Sequence, residues 1–486
     1  MNDLNRSLMD LPSYPERILQ IGEGNFLRCF IGWQVDILNE KHGLNAGIVV
    51  ARPIDSELPP SLNVQDGLYT TLLRGYDEDN QLRNEKRIVS SVTREISIYR
   101  EYAEFLQLAH NPELRFIFSN TTEAGIAYSD QDRFEDTPPA TYPAKLTRLL
   151  YERFEAFGGA KDKGFILFPC ELLDYNGELL KEYVLRYAKL WNLSAAFTSW
   201  LEEANTFCST LVDRIVTGYP RDEVAELEQE LGYHDRFMVT GEYFHLFVIQ
   251  APQWVGEELK LAGSGLHVEI IDDLKPYKQR KVGILNGCHT ALTPVAWLCG
   301  IEFVKDATSD PQLENYLSQL LDREIIPCLP LPVEELKPFA DSVIGRFKNP
   351  FIKHKLLDIS LNSMTKFRTR LLPQLLRYSQ DNGTVPPLMS LAMAALICFY
   401  RGELNGASYP TKDDQPFLDM YRELWGEAGM GAVDLATATA IAKRVLSLDQ
   451  HWEAELLKVD GLLEQVAAFI VSMTGKGMRE TLAEVL

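Results

Sequence analysis

The sequence predicts an α/β fold, with a doubly wound parallel-sheet domain followed by a mainly α-helical carboxy-terminal domain. Three observations predict it. The first half alternates compact apolar runs with helical patterns, those runs are too apolar to face water on either side, and from about residue 271 long helical patterns take over. The runs ERILQIG (16–22), AGIVVAR (46–52), LRFIFSN (114–120) and GFILFPC (164–170) read as buried strands. Between or after them, Leu27–Asn39, Tyr99–Leu108, Lys145–Phe157 and Glu178–Trp191 read as helices. Later helices are expected over 277–299, 310–325, 387–402, 418–426, 433–448 and 453–472. The proline-bearing segments 327–338 and 408–416 read as connections. The change of character at IDDLKPY (271–277) divides the chain into 1–270 and 271–486, with the active site expected in the cleft between them.

Composition narrows the function. The 486 residues carry 48 Lys and Arg against 69 Asp and Glu, a net charge of −21. So acidic a chain is repelled by phosphate backbones and anionic lipid, so neither a nucleic-acid nor a membrane partner is expected. Aromatics reach 10% and run along the whole chain, which argues against disorder. The seven cysteines (29, 170, 208, 288, 299, 328 and 398) are scattered and form no CxxC pair, so they read as small buried hydrophobes. The amino terminus has no apolar core, and LMSLAMAALICFY (388–400) falls short of the roughly 20 residues that span a bilayer. That run reads as a helix buried on all sides. A cytoplasmic enzyme acting on a small molecule, as a monomer or small homo-oligomer, is the expectation.

ERILQIGEGNFLRCF places Gly22, Gly24 and Asn25 directly after the first strand and ahead of a helix. Gly22 permits the tight turn, and Gly24 lets a pyrophosphate approach the backbone at the helix amino terminus, as in a Rossmann-like dinucleotide site. Leu27 stands where the third glycine of GxGxxG is usual. The second strand ends in Val50-Ala51-Arg52-Pro53, where an NAD site favours an acid. Arg52 could equally hold the 2′-phosphate of NADP, with Asp55 close by.

PYKQRKVGILNGCHTAL (276–292) carries Lys281, Asn286 and His289 in an otherwise apolar pattern. At about 100° per residue, Asn286 and His289 lie about 60° apart on one helix face, while Lys281 lies about 140° from Asn286 and must reach around. Unpaired polar groups in such surroundings cost several kcal/mol, so a task is expected of them. A buried lysine gives up its proton more easily and can exchange it with a hydroxyl or carbonyl oxygen. The Asn amide can donate to an oxygen on which charge develops, and the histidine can orient the substrate without a metal. The eight histidines show no HxxxH or other ligand spacing, and no GxSxG elbow is present. His245 in GEYFHLFVIQ reads as structural.

With these residues in hand, the chain resembles the mannitol dehydrogenase family of zinc-independent, polyol-specific long-chain dehydrogenases. GEGNFLR (22–28) resembles the family's GxGxFxR opening, QDGLYT (65–70) its QDxLYT block and TTEAGI (121–126) its TExG turn. TLVDRI (210–215), Lys281-x4-Asn286-x2-His289, RFKNPFI (346–352) and the SMTK run ending at Lys366 complete the series. The resemblance implies that Lys281 is the general acid/base, Asn286 an oxyanion stabiliser, and His289, Asp213, Asn176 and Lys366 substrate-positioning groups. It implies a nicotinamide cofactor, NAD, held by Ile21, Gly22, Glu23, Gly24, Asn25, Phe26, Arg52, Asp66, Thr122 and Glu123, and no metal.

Two departures stand out. CELLDYNG (170–177) has Leu172 where polyol-acting members carry an Asn of CDNxxxNG, and Asp358 takes the place of a usual arginine. CELLDYNG, VVARP and FSNTTEAGI are instead similar to the uronate branch, which implies NADH-dependent reduction of the ketone of a hexuronate. Reduction of another keto-hexuronate, or oxidation of a polyol, is the nearest alternative. A non-catalytic dinucleotide-sensing protein would keep the glycine turn without needing the Lys/Asn/His set. A carboxylate substrate needs a local exception to the acidic balance. Residues 346–370 offer one: Arg346, Lys348, Lys353, Lys355, Lys366, Arg368 and Arg370 against Asp358 alone, with Lys366 expected first at the substrate.

Overall fold

All four apolar runs of the first half become strands of one sheet in the computed structural model, which describes residues 1–486 apart from 56–60, 78, 80, 123 and 430. That sheet comprises β1 (Glu16–Ile21), β2 (Gly47–Arg52), β3 (Val92–Ser97), β4 (Phe116–Ser119), β5 (Ile166–Pro169) and β6 (Thr206–Phe207). Every neighbouring pair is parallel, in the order β3-β2-β1-β4-β5-β6. Two three-strand halves therefore meet between β1 and β4. In sheets of this kind ligands bind beyond the carboxyl ends of the strands at that switch point.

The strands are apolar on both sides because both sides are covered. Ile18, Ile48, Val50, Phe116 and Phe118 join one core, with Leu27, Phe30 and Ile37 from the helical stretch 25–42. Their alternates Leu19, Ile21, Val49, Ala51 and Ile117 join the other, with Phe105, Leu146, Leu149, Leu180 and Val184. Each Leu, Ile, Val or Phe among them, buried completely, contributes roughly 1.5–3 kcal/mol. The last four belong to helices Tyr142–Ala156 and Asn176–Leu190, close to the expected spans.

Besides two small two-stranded pairs, two larger sheets have no counterpart in the sequence prediction. One orders Val216–Gly218, Val239–Glu242, Tyr69–Tyr76 and Leu82–Val89; the other orders Ser209–Asp213, Leu246–Gln250 and Val268–Ile271. Leu82–Val89 (LRNEKRIV) is a polar edge strand, exposed over its first half, so it lacks the apolar signature of a buried strand. His245 lies between two of these strands, with its ring against Trp33 and His267, and its Nε2 accepts the His267 amide at 3.0 Å.

The chain forms two compact units, Met1–Leu274 and Lys275–Leu486. The second is helical. Pro387–Phe399 is buried at every residue after Pro387, as a helix apolar all round must be. No helix among the described residues is long and apolar enough to cross a membrane. The first turn of Pro387–Phe399 is closed by Glu324, whose carboxylate accepts the Leu388 and Met389 amides, each at 2.7 Å. Burial pushes the Glu324 carboxyl up to about 7.

Two expectations need correction here. Residues 327–338 are not all connection, because helix Val333–Phe347 takes Pro338 inside it. Its buried Leu336, Phe339, Ala340, Val343 and Phe347 offset the backbone bond that proline removes. The helix expected from 453 instead begins at Leu462, because Gly461 adopts a left-handed conformation with φ 82°.

Candidate active site

In the first unit the glycine turn stands at the carboxyl end of β1, at the switch point. Ile21 is the buried last residue of β1, and the Gly22 amide donates to the Ala51 carbonyl at the end of β2. Gly22 has φ 119°, and a Cβ there would stand 2.9 Å from the Asn120 carbonyl oxygen, so only glycine fits. Beside Gly24 a Cβ would meet nothing within 4 Å. Gly24 caps the following helix with no side chain over its first amides, leaving a cradle that suits a pyrophosphate.

The turn is held from beneath by Arg28, which donates to the Glu23 carbonyl at 2.9 Å and to Asn25 Oδ1 at 2.8 Å. Phe26 stacks on Phe30. The helix changes pitch here, with a π-turn at Arg28–Gly32 between α-helical Asn25–Leu27 and Trp33–His42. Gly32 supplies the close approach that the missing third glycine would give, since a Cβ there would collide with the Tyr69 hydroxyl. Leu27 itself packs towards Gly22.

The remaining first-unit candidates separate. Arg52 is buried and ion-paired with Glu95 of β3. Thr122 has φ 68°, in the turn after β4, and Glu123 lies outside the described residues. Asp66 does not stand by the glycine turn. It accepts the Arg6 amide at 3.0 Å, and Arg6 also donates to Ser90 and Val92, where β3 begins. Because the sheet is parallel, that is the edge opposite to the glycine turn. Asp213 is buried at the end of its strand. The neighbouring Arg214 donates to the Cys29, Tyr243 and Phe244 carbonyls.

Asn176 begins the helix after β5, 1% exposed. Its amide donates to the carbonyls of Pro169 and Glu171 at 2.9 and 3.0 Å, and its oxygen accepts the Thr210 amide at 2.8 Å. Asn176 thus shapes the carboxyl end of β5 through backbone bonds. Glu171 has no sequence signal of its own beyond its place in the CELLDYNG block. Its buried carboxylate accepts from Ser119 Oγ and from the Thr121 amide and hydroxyl, tying the turns after β4 and β5 together, and burial raises its carboxyl. Leu172, next in sequence, is 65% exposed.

In the second unit the candidate catalytic helix departs from α geometry at the decisive place. Lys275–Lys281 and Gly287–Leu298 are α-helical, but Val282–Asn286 is a π-turn, with the Gly287 amide donating to the Val282 carbonyl five residues back. A five-residue turn brings positions five apart nearly into register, so the 140° separation expected between Lys281 and Asn286 does not arise. Lys281 and Asn286 are half-buried, more open than their apolar neighbours suggested.

His289 stacks on Phe347 with ring centroids 4.1 Å apart and meets the edge of His354 at 5.2 Å. Burial first, then His354, Arg346, Arg370 and Lys366, hold it well below the usual histidine range, so it is neutral at pH 7. Its Nε2 is enclosed and meets no hydrogen-bond partner among the described residues. A buried nitrogen of that kind suits a substrate hydroxyl. Lys366 Nζ donates to the Ile359 carbonyl at 2.7 Å, and Arg370 Nη1 reaches Thr290 Oγ1 at 3.3 Å. Among the described residues no group of three His, Cys, Asp or Glu is placed to hold a metal ion.

The Mannitol dehydrogenase Rossmann domain model matches residues 16–263, and the Mannitol dehydrogenase C-terminal domain model matches residues 273–474. An altronate oxidoreductase of Cronobacter sakazakii is 57% identical over 483 residues, covering 99% of each chain. One of Escherichia coli O7:K1 is 56% identical over 480 residues, again 99% of each. Among solved structures, Pseudomonas fluorescens mannitol 2-dehydrogenase, in ternary complex with NAD and D-mannitol, has a TM-score of 0.68 at 23% identity, covering 100% of this chain and 99% of that one. A D-sorbitol dehydrogenase in substrate-free form reaches 0.80 at 21%, covering 99% and 100%. Those two share the fold. The chain belongs to the mannitol dehydrogenase family and is an oxidoreductase, a Rossmann-like domain followed by the family's helical domain.

Proposed function

We propose that this enzyme reduces the ketone of D-tagaturonate to D-altronate, reversibly and with NADH, in the breakdown of galacturonate. The observation that carries the reading is the 56–57% identity, over 99% of both chains, to relatives named altronate oxidoreductase. A basic set round His289 supports it, since the substrate is an anion and the chain as a whole repels anions.

The residues divide the work between the units. In the first, Ile21, Gly22, Glu23, Gly24, Asn25 and Phe26 form the cradle for the pyrophosphate, and Thr122 lines the neighbouring turn. When bound, NADH supplies the hydride that the carbonyl carbon receives. Arg52 favours NAD over NADP, because its charge is committed to Glu95 and a 2′-phosphate would have to displace that pair. In the second unit Lys281 gives its proton to the ketone oxygen during reduction and takes it back in the reverse direction. Asn286 donates its amide to the same oxygen as charge grows there. Neutral His289 hydrogen-bonds a substrate hydroxyl through Nε2, and Lys366 positions the substrate from the same unit. In the first unit Asp213 serves the same purpose, and Asn176 holds the carboxyl end of β5.

Purified protein mixed with NADH and D-tagaturonate should consume nicotinamide absorbance, and D-altronate with NAD should restore it. Turnover of mannitol or fructose without any of D-tagaturonate would remove this reading. Nicotinamide binding with no turnover of any sugar acid or polyol would point to a sensing protein.

A further inference from the structure

The structure sorts the seven basic residues of 346–370 by what they touch. Lys348, Lys355 and Arg368 reach Glu314, Glu302 and Glu453 at 2.5, 3.3 and 2.7 Å, ion pairs that neutralise them near the surface. Arg370 is different. It ends the helix Ser363–Arg370, is half-buried, and has no carboxylate within ion-pair distance among the described residues. Its guanidinium makes one long hydrogen bond there, 3.3 Å to Thr290 Oγ1, which leaves most of five N–H donors for something else.

The position of Arg370 is set by Gly287. A Cβ on Gly287 would stand 3.3 Å from Leu371 Cδ2 and 3.7 Å from the Arg370 carbonyl oxygen, so the end of that helix lies directly against the Asn286–Thr290 turn. Lys366 is one helical turn earlier and therefore on the same face. Lys366, however, already spends a donor on the Ile359 carbonyl, and an ammonium is a point charge. A guanidinium is a planar fork that matches the two oxygens of a carboxylate. Holding such a fork partly out of water without a counter-charge is costly unless an anion completes it. Burial lowers the Arg370 guanidinium from its ordinary range, which agrees with that desolvation.

We infer that Arg370 binds the carboxylate of the substrate and so sets the selectivity for a hexuronate over the neutral ketohexose of the same shape. This rests on the proposed reduction of a keto-hexuronate. The carboxylate and ketone sit towards opposite ends of the six-carbon chain. Arg370 reaches Thr290, four residues and about 6 Å along the helix beyond Asn286, and so meets the substrate on the side away from Lys281.

The test is the ratio of kcat/KM for D-tagaturonate to that for D-tagatose, its uncharged counterpart, in the wild type, Arg370→Met and Arg370→Lys. Loss of a charge-assisted hydrogen-bonded pair should lower the ratio about 100-fold in Arg370→Met, with Arg370→Lys intermediate. NADH affinity and Tm are measured alongside. A ratio within about threefold of the wild type in Arg370→Met, or an equal fall for both sugars, overturns the assignment. If that variant does not fold, Arg370→Lys decides, and an unchanged ratio there overturns it as well. A wild type inactive on D-tagaturonate overturns the substrate reading together with this one, whereas an active wild type with unaltered variants overturns Arg370 alone.

Discussion

Arg28 and Asn25 are locked together beneath the glycine turn: Nη2 of the arginine donates to Asn25 Oδ1 at 2.8 Å while Nη1 takes the Glu23 carbonyl at 2.9 Å. The guanidinium thereby fixes both residues that flank Gly24, the place where a backbone must meet a pyrophosphate. Arg28→Met keeps much of the buried stem and removes these bonds. The dissociation constant for NADH should rise about tenfold, since a hydrogen bond to a charged group contributes roughly 1.5–3 kcal/mol and part of that orders the turn. Titration of NADH fluorescence reads the effect, and an unchanged affinity would show that the turn holds its shape without Arg28.

Lys281 should behave as the proton-transfer group. Lys281→Ala is expected to lower kcat by about 10²–10⁴-fold while NADH affinity stays near the wild-type value. Steady-state rates beside a binding titration separate the two. Turnover comparable to the wild type would take Lys281 out of the mechanism.

Glu324 makes stability depend on pH. Its carboxyl rises from 4.5 to about 7 through burial, so between those values the folded protein holds a proton that the unfolded chain has lost. Stability from this group is complete below pH 4.5 and declines as pH rises through about 7, by roughly 3 kcal/mol at most. Glu324→Gln cannot ionise, so denaturation midpoints taken from pH 5 to 8 should fall less steeply in the variant. Parallel curves for the two proteins would contradict the assignment.

Asn176 is a donor to three backbone carbonyls, of Pro169, Glu171 and Thr210, and an acceptor from the Thr210 amide, all in a buried site. Asn176→Asp keeps the shape but turns a carboxylate oxygen towards those carbonyls. A loss of about 2–4 kcal/mol in urea denaturation is expected, from the abandoned carbonyls and the buried charge. A stable variant defective only in substrate KM would give Asn176 the direct substrate contact that its backbone bonds argue against.

The sheet was legible because its strands are buried on both faces. Ile18, Ile48 and Val50 point to one core and Leu19, Val49 and Ala51 to the other, which writes a continuous apolar run into the sequence. Strand Leu82–Val89 is an exposed edge and carries no such run, so its sequence does not mark it as a strand. The glycine turn was legible for a local reason too, since the demands on Gly22 and Gly24 come from their own backbone geometry.

The sequence by itself determined the alternation of elements, the turn after β1 and the clustering of Lys281, Asn286 and His289 on one helical stretch. All three depend on neighbours a few residues away. Only the tertiary structure decided that a π-turn brings Lys281 towards Asn286, that Asp66 sits at the far edge of the sheet, and that Glu171 ties the turns after β4 and β5. It also decided which cations of 346–370 are neutralised and which gather round His289. Those outcomes rest on partners far along the chain: Arg6 for Asp66, Glu453 for Arg368, Thr290 for Arg370. A charge written in the sequence has no fixed meaning until the fold supplies, or withholds, its counter-charge.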